Sequence, residues 1–149
     1  MSDNYDILKI ENQLCFPLYA CAKEVIKLYK PLLDPLDLTY TQYITMMVIW
    51  ERKQITVKEL GKILYLDSGT LTPVLKKMEL KGFIIRERAK EDERNLNVKI
   101  TACGDELKKQ AADIPAKLGQ CVNLSQNEAT TLYQLLYKIL GSIDDKQNI

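Results

Sequence analysis

The chain has 149 residues, 46% of them hydrophobic, with 21 Lys plus Arg against 20 Asp plus Glu and a formal net charge of +1. That is one domain's worth, able to bury about 70% of the unfolded chain's surface without a disulfide staple; near-neutrality excludes a histone-like protein but leaves a local basic face open. The absence of histidine excludes Ser-His-Asp and Cys-His catalysis and every His-ligated metal site, and Cys15, Cys21, Cys103 and Cys121 form no C-x-x-C pair, so neither a zinc ribbon nor a thioredoxin-type motif is available.

No metal or cofactor is expected. The polar, acidic start MSDNYDILKIENQ is no secretory signal. No apolar run approaches the roughly 18 residues of a membrane span. The chain reads as cytoplasmic, where cysteines are normally reduced and a disulfide is catalytic or sensory rather than structural.

Charge is uneven along the chain. Residues 1–50 carry −2, residues 51–75 carry +1, residues 76–103 carry +3 and residues 104–149 carry −1. Three of the four arginines, Arg86, Arg88 and Arg94, fall within nine residues. Such a cluster is either a solvated ribbon or an element that meets phosphates. The order of elements around it decides.

Cys15, Tyr19, Ala22, Ile26, Tyr29 and Leu33 recur at spacings of three and four, the stripe of a helix running to about Leu33. Pro17 sets its start near residues 12–14 or kinks it. Lys30-Pro31 and Asp34-Pro35 end it. Thr39-x-x-Gln42 is a capping box with Leu38 as staple, opening a helix that ends near Arg52. Thr56-x-x-Glu59 is a second capping box, opening a short helix to about Leu64. After a turn at Tyr65-Leu66, Asp67 or Ser68 caps a helix ending near Lys81, with Gly82 suited to the left-handed position beyond. Pro73 conflicts mildly with that helix, and Gly69 four residues earlier relieves the crowding.

The period then changes from 3.6 to 2. Residues 83–86 and 96–101 alternate around the charged stretch Lys90–Asn95, predicting a two-stranded ribbon. Thr101 caps a helix reaching about Cys121 and kinked at Pro115. Ser125-x-x-Glu128 opens the last helix, whose apolar stripe includes Leu132, Leu135, Leu136, Ile139 and Ile143.

A short helix, a tight turn, a second helix and a basic ribbon make a winged helix-turn-helix. The predicted fold is mainly α with a small β-ribbon: residues 37–101 form the DNA-binding region, and residues 1–36 with 102–149 form a helical dimerisation region, all one integrated domain. The second helix of such a unit enters the major groove by its N-terminal residues, here Ser68, Thr70 and Thr72. Lys76 and Lys77 suit backbone contacts. Arg86 and Arg88 lie on the ribbon, and Arg94 at its tip suits a narrow minor groove with Asp92 or Glu93 holding it. The winged unit is too small to bury the stripes of the first and the last two helices, which predicts a homodimer on two-fold operator DNA.

The strings Leu38-Thr39-Tyr40-Thr41-Gln42-Tyr43, Leu64-Tyr65-Leu66-Asp67-Ser68-Gly69-Thr70-Leu71-Thr72-Pro73 and Glu91-Asp92-Glu93-Arg94-Asn95 resemble the MarR family of winged-helix repressors. Gln13-Leu14-Cys15-Phe16 with Tyr19, Tyr29 and Tyr40 resembles its organic hydroperoxide resistance regulators (OhrR). Near a helix start, a cysteine is favoured as thiolate, and Tyr19 one turn on is a hydroxyl donor; an accessible thiolate is what hydroperoxides oxidise. The resemblance implies that Cys15 is the sensor, that Tyr29 and Tyr40 of the other subunit hydrogen-bond it, and that its oxidation by organic hydroperoxides releases DNA. It also implies either an intersubunit disulfide to a late cysteine, matched in kind by Cys121, or capture by a low-molecular-weight thiol. Cys21 and Cys103 are read as structural.

Three other readings compete. A MarR-type repressor controlled by a non-covalent aromatic or lipophilic ligand would keep its response without thiols. A thiol peroxidase or oxidoreductase would turn over and ignore DNA sequence, but the ribbon and the missing acid–base partner speak for a non-enzyme. A non-specific architectural protein would need more positive charge.

Overall fold

The computed structural model describes residues 5–89 and 92–147, with side chains at 5–88 and 96–144. The chain forms two compact units, Met1–Ile114 and Pro115–Ile149. In the first, two 3-10 turns (Tyr5–Leu8 and Ile10–Asn12) lead into α1 (Cys15–Leu33), a further 3-10 turn (Asp34–Leu36) and α2 (Tyr40–Arg52). These are followed by β1 (Gln54–Thr56), α3 (Val57–Leu64), α4 (Ser68–Leu80), β2 (Ile84–Ala89), β3 (Asp92–Ile100) and α5 (Ala102–Ala111).

Local sequence accounts for most boundaries. The Thr39 hydroxyl accepts from the Gln42 amide at 3.2 Å while Gln42 Oε1 accepts from the Thr39 amide at 3.1 Å, so both halves of the capping box exist. Thr56 caps α3 through the Glu59 amide. Asp67, rather than Ser68, caps α4 through the Thr70 amide at 2.7 Å. Gly82 sits at φ 82°, and the amides of Gly82 and Phe83 bond back to the carbonyls of Glu79 and Met78. This closes α4 in a conformation that favours glycine.

Pro17 and Pro31 fit the expected span of α1, and Pro115 departs from expectation. Pro17 is the third residue of α1, where the missing N–H is an orphan in any case, and the helix starts at Cys15 with Leu14 at its N-cap, beside the expected residues 12–14. Pro31 lies inside α1, which continues to Leu33. It occupies an exposed position, where the carbonyl it leaves free can face water. Between Thr101 and Cys121 the expected single kinked helix is two helices, α5 and α6 (Ile114–Cys121), separated by a turn at residues 112–113. Pro115 is the second residue of the new helix, a position that suits proline.

The ribbon is also larger than expected. β1 adds to it, giving a three-stranded antiparallel sheet in the order β1-β3-β2. Ile55 of β1 pairs with Val98, and Arg86 of β2 pairs with Val98 from the other side. Three residues are too few for an alternation signal, so β1 was invisible as a strand.

The core gathers around α2. Tyr43, Met46, Ile49 and Trp50 are buried, together with Leu33 from α1, Leu60 from α3, Leu75 and Met78 from α4, Ile84 and Val98 from the sheet, and Leu107 from α5. The C-terminal end of α1 therefore belongs to the winged core, whereas its first half exposes the apolar stripe: Tyr19 is 63% exposed and Leu14, just before it, 81%. In the second unit, Ser125 and Glu128 complete their capping box in both directions at 2.9 and 3.2 Å. They open α7 (Gln126–Gln147), on which Leu132, Leu135, Ile139 and Ile143 are all exposed.

One packing contact is especially tight. The buried Trp50 indole donates to the Gly104 carbonyl at 2.8 Å, and a Cβ on Gly104 would lie 2.2 Å from the Phe83 carbonyl oxygen. Backbone occupies that space, so α5 can dock here only on glycine. Gly104→Ala is expected to lower unfolding stability by about 2–3 kcal/mol, the cost of overpacking a fixed core; urea denaturation measures it.

Candidate functional site

α3, the turn at Tyr65-Leu66 and α4 form a helix-turn-helix, and β2 with β3 form the wing. Tyr65 turns the chain at φ 55°. Ser68 and Thr70 are exposed on the first turn of α4, and Lys76 and Lys77 are exposed farther along it. Thr72 is half-buried and its hydroxyl donates to the Ser68 carbonyl at 2.7 Å, so its polar group is already engaged within the helix. Asp67 accepts at the α4 N-terminus, and the Thr70 backbone bond holds its carboxyl below the usual carboxylate range.

Arg88 is exposed on the wing. Arg86 is engaged elsewhere: its guanidinium donates to Glu79 Oε1 at 3.2 Å and its amide donates to Glu79 Oε2 at 2.8 Å. The backbones of Asp92 and Arg94 lie in β3; the tip role expected of their side chains falls outside the described ones, as do Lys90 and Glu91 altogether.

The far end of α4 is also tied to α2. The Lys81 ammonium donates to the Asp37 carbonyl and to Gln42 Oε1, the latter at 3.1 Å. Gln42 is 2% exposed and is the same residue that caps α2. No sequence pattern flagged Lys81, because its acceptors lie about forty residues earlier in the chain.

All four cysteines are free and exposed, so Cys21 and Cys103 are not the core residues that a structural reading suggests. Cys15 is the first residue of α1, and no side chain caps this end. The preceding segment is ordered by Gln13, whose amide donates to the carbonyls of Ile7 at 2.6 Å and Lys9 at 3.0 Å, and by Asn12, which donates to that of Asp6. Cys121 is the last residue of α6, its thiol 3.6 Å from the Lys117 carbonyl.

Tyr29 and Tyr40 meet with ring centroids 4.8 Å apart, and Tyr43 joins them at 5.7 Å from Tyr29. Sequence reading missed Tyr43, although it stands one turn from Tyr40. Burial, followed by its two tyrosine neighbours, pushes the Tyr29 phenol up to about 12; burial raises Tyr40 and Tyr43 as well. These hydroxyls are protonated donors at any physiological pH. Cys15 lies fourteen residues before Tyr29 on one continuous helix, a rise of about 21 Å. The tyrosine cluster of one chain therefore cannot hydrogen-bond that chain's own Cys15.

Among the described residues, no group of three or more His, Cys, Asp or Glu side chains could hold a metal ion, and no helix is long and apolar enough to cross a membrane. A helix-turn-helix followed by a β-wing and embedded in additional helices defines a winged-helix DNA-binding fold. The family model of transcriptional regulators SarA/Rot matches residues 27–111. The organic hydroperoxide resistance transcriptional regulator of Bacillus subtilis is 48% identical over 98% of this chain and 99% of its own length. Among solved structures, reduced AbfR bound to DNA superimposes with a TM-score of 0.80 at 26% identity, covering 95% of this chain and 96% of that one; AbfR comes from Staphylococcus epidermidis. Disulfide-formed AbfR superimposes with a TM-score of 0.65 at 28% identity, over 93% and 94%. The chain belongs to the MarR family of winged-helix transcriptional regulators, in the group of the organic hydroperoxide resistance regulators.

The tyrosine cluster has a measurable signature. In the unfolded chain Tyr29 ionises near 10, and in the folded chain near 12. Its contribution to stability is complete below pH 10 and is lost as pH rises through about 12. Phenolate absorbance should accordingly show late-titrating tyrosines among the eight, and Tyr29→Phe should remove the latest of them.

Proposed function

We propose that this chain is a redox-sensing transcriptional repressor that binds operator DNA as a homodimer and is released when organic hydroperoxides oxidise Cys15. The observation that carries the reading is the separation of Cys15 from Tyr29 along α1. The exposed thiol stands at an uncapped helix start, open to a small oxidant. The protonated Tyr29 donor stands about 21 Å farther along the same helix. Two copies packed through the exposed stripes of the helical regions, residues 1–36 and 102–149, would let each supply hydroxyls to the other's thiol.

DNA is bound by the winged region, residues 37–101. Ser68 and Thr70 meet base edges or phosphates, Lys76 and Lys77 meet the backbone, and Arg88 with the tip pair Asp92 and Arg94 follows the minor groove. Thr72 supports the first turn of α4 through its bond to Ser68.

The sensing step transfers the terminal oxygen of the hydroperoxide. An S–O bond forms at Cys15 as the O–O bond breaks, leaving an alcohol and a sulfenic acid. Cys121 of a second copy then attacks that sulfur, giving a disulfide and water. The 48%-identical Bacillus regulator is named for organic hydroperoxide resistance, and AbfR has been captured both DNA-bound in reduced form and as a disulfide; these support the reading.

Cys15→Ser should bind operator as wild type does and fail to release it on treatment with an organic hydroperoxide; release equal to wild type in a gel-shift assay removes the sensing role. Oxidised wild type should run as a covalent dimer on a non-reducing gel and Cys121→Ser should not. A mass increment matching a low-molecular-weight thiol would replace Cys121 as the resolving group. Arg94→Ala should weaken operator binding about tenfold or more, as loss of a groove contact worth ~1–3 kcal/mol does.

A further inference from the structure

The structure assigns Glu79 and Arg86 a positioning role: their carboxylate–guanidinium clamp sets the wing against the recognition helix, so that Arg86 serves DNA binding through β2 rather than by touching phosphate. This rests on the DNA-binding reading above. β2 is an edge strand of the sheet, and an edge leaves alternate amides without a strand partner. The outward amide at Arg86 is taken by Glu79 Oε2 at 2.8 Å, while Oε1 takes the guanidinium of the same residue at 3.2 Å. One carboxylate on α4 thereby fixes both the backbone and the side chain of one wing residue. The Arg86 side chain is only 21% exposed, and its Nε is buried without a hydrogen-bond partner. A guanidinium meant to grip phosphate would be kept free; this one is held in toward α4.

The clamp sits where leverage is greatest. Glu79 is the penultimate residue of α4, and only residues 81–83 separate α4 from β2. The exposed N-terminal turn of α4 and the wing must meet the duplex together. A small rotation at this junction would move the wing tip out of register with the groove.

Charge arithmetic gives the clamp an unusual sign. Neutralising an acidic group close to a DNA-binding face ordinarily strengthens binding. The clamp predicts the reverse. The probe is a duplex selected by the wild-type protein from a random-sequence pool, with affinity measured as a function of salt. Glu79→Gln should raise Kd roughly three- to tenfold, the scale of losing a charge-assisted hydrogen bond. Arg86→Gln should do the same with an unchanged salt slope, and the double variant should be no weaker than either single one. Hydrogen exchange should show the Arg86 amide protected in wild type and released in Glu79→Gln, with global stability monitored by urea unfolding.

Glu79→Gln binding as tightly as wild type, or tighter, overturns the clamp. So does an Arg86→Gln salt slope smaller by about one, which marks a direct phosphate contact. If the wild-type protein enriches no sequence from the pool, the DNA-binding reading fails instead, whatever the exchange data show.

Discussion

The burial of α2 is the constraint on which the first unit depends. Its inner face, Tyr43, Met46, Ile49 and Trp50, lies in the core, and burying a large apolar side chain stabilises by about 1.5–3 kcal/mol relative to exposure. Some contacts of that helix also have a directional component. Tyr40 and Tyr43 meet Tyr29 of α1. Gln42 accepts from Lys81 just beyond α4, and Trp50 donates to the α5 backbone at Gly104. The helix that closes the core therefore also touches the tyrosine cluster and the second helix of the helix-turn-helix.

Under the proposed redox function, that arrangement would couple thiol chemistry to DNA. The tyrosine cluster and the Lys81 contact stand on the same end of one rigid helix, within the first turn of the Thr39–Gln42 capping box. A change at the cluster need not travel through loops to reach α4. At the other side of α4, Glu79 fixes the wing. The recognition helix is thus braced at its C-terminal end and free at its N-terminal end, where Ser68 and Thr70 are exposed.

The parts legible in the sequence were those governed by contacts a few residues apart. Capping boxes at Thr39 and Ser125, the caps at Thr56 and Asp67, and the glycine turn at Gly82 are all satisfied within about four residues, and all appear in the structure. Hidden features depend on distant partners: β1 with β3, Trp50 with Gly104, Lys81 with Asp37 and Gln42, and Tyr43 beside Tyr29. Pro115 misled for a related reason. A proline's local penalty is readable, but whether the helix continues through it or restarts at it is decided by what the neighbouring turns pack against.

The sequence by itself determined the helix-turn-helix and ribbon order, most helix starts, the uneven charge that collects +3 in residues 76–103, and the absence of histidine. These are properties of short segments and of composition. Only the tertiary structure decided which groups are free to act. It drew Arg86 of β2 inward onto Glu79 of α4, raised the Tyr29 phenol by burial beside Tyr40 and Tyr43, and bound Lys81 to Asp37 and Gln42. Availability arises from packing between separate elements, which no single helix or strand pattern encodes, whereas the rise of about 21 Å between Cys15 and Tyr29 follows from helix geometry alone.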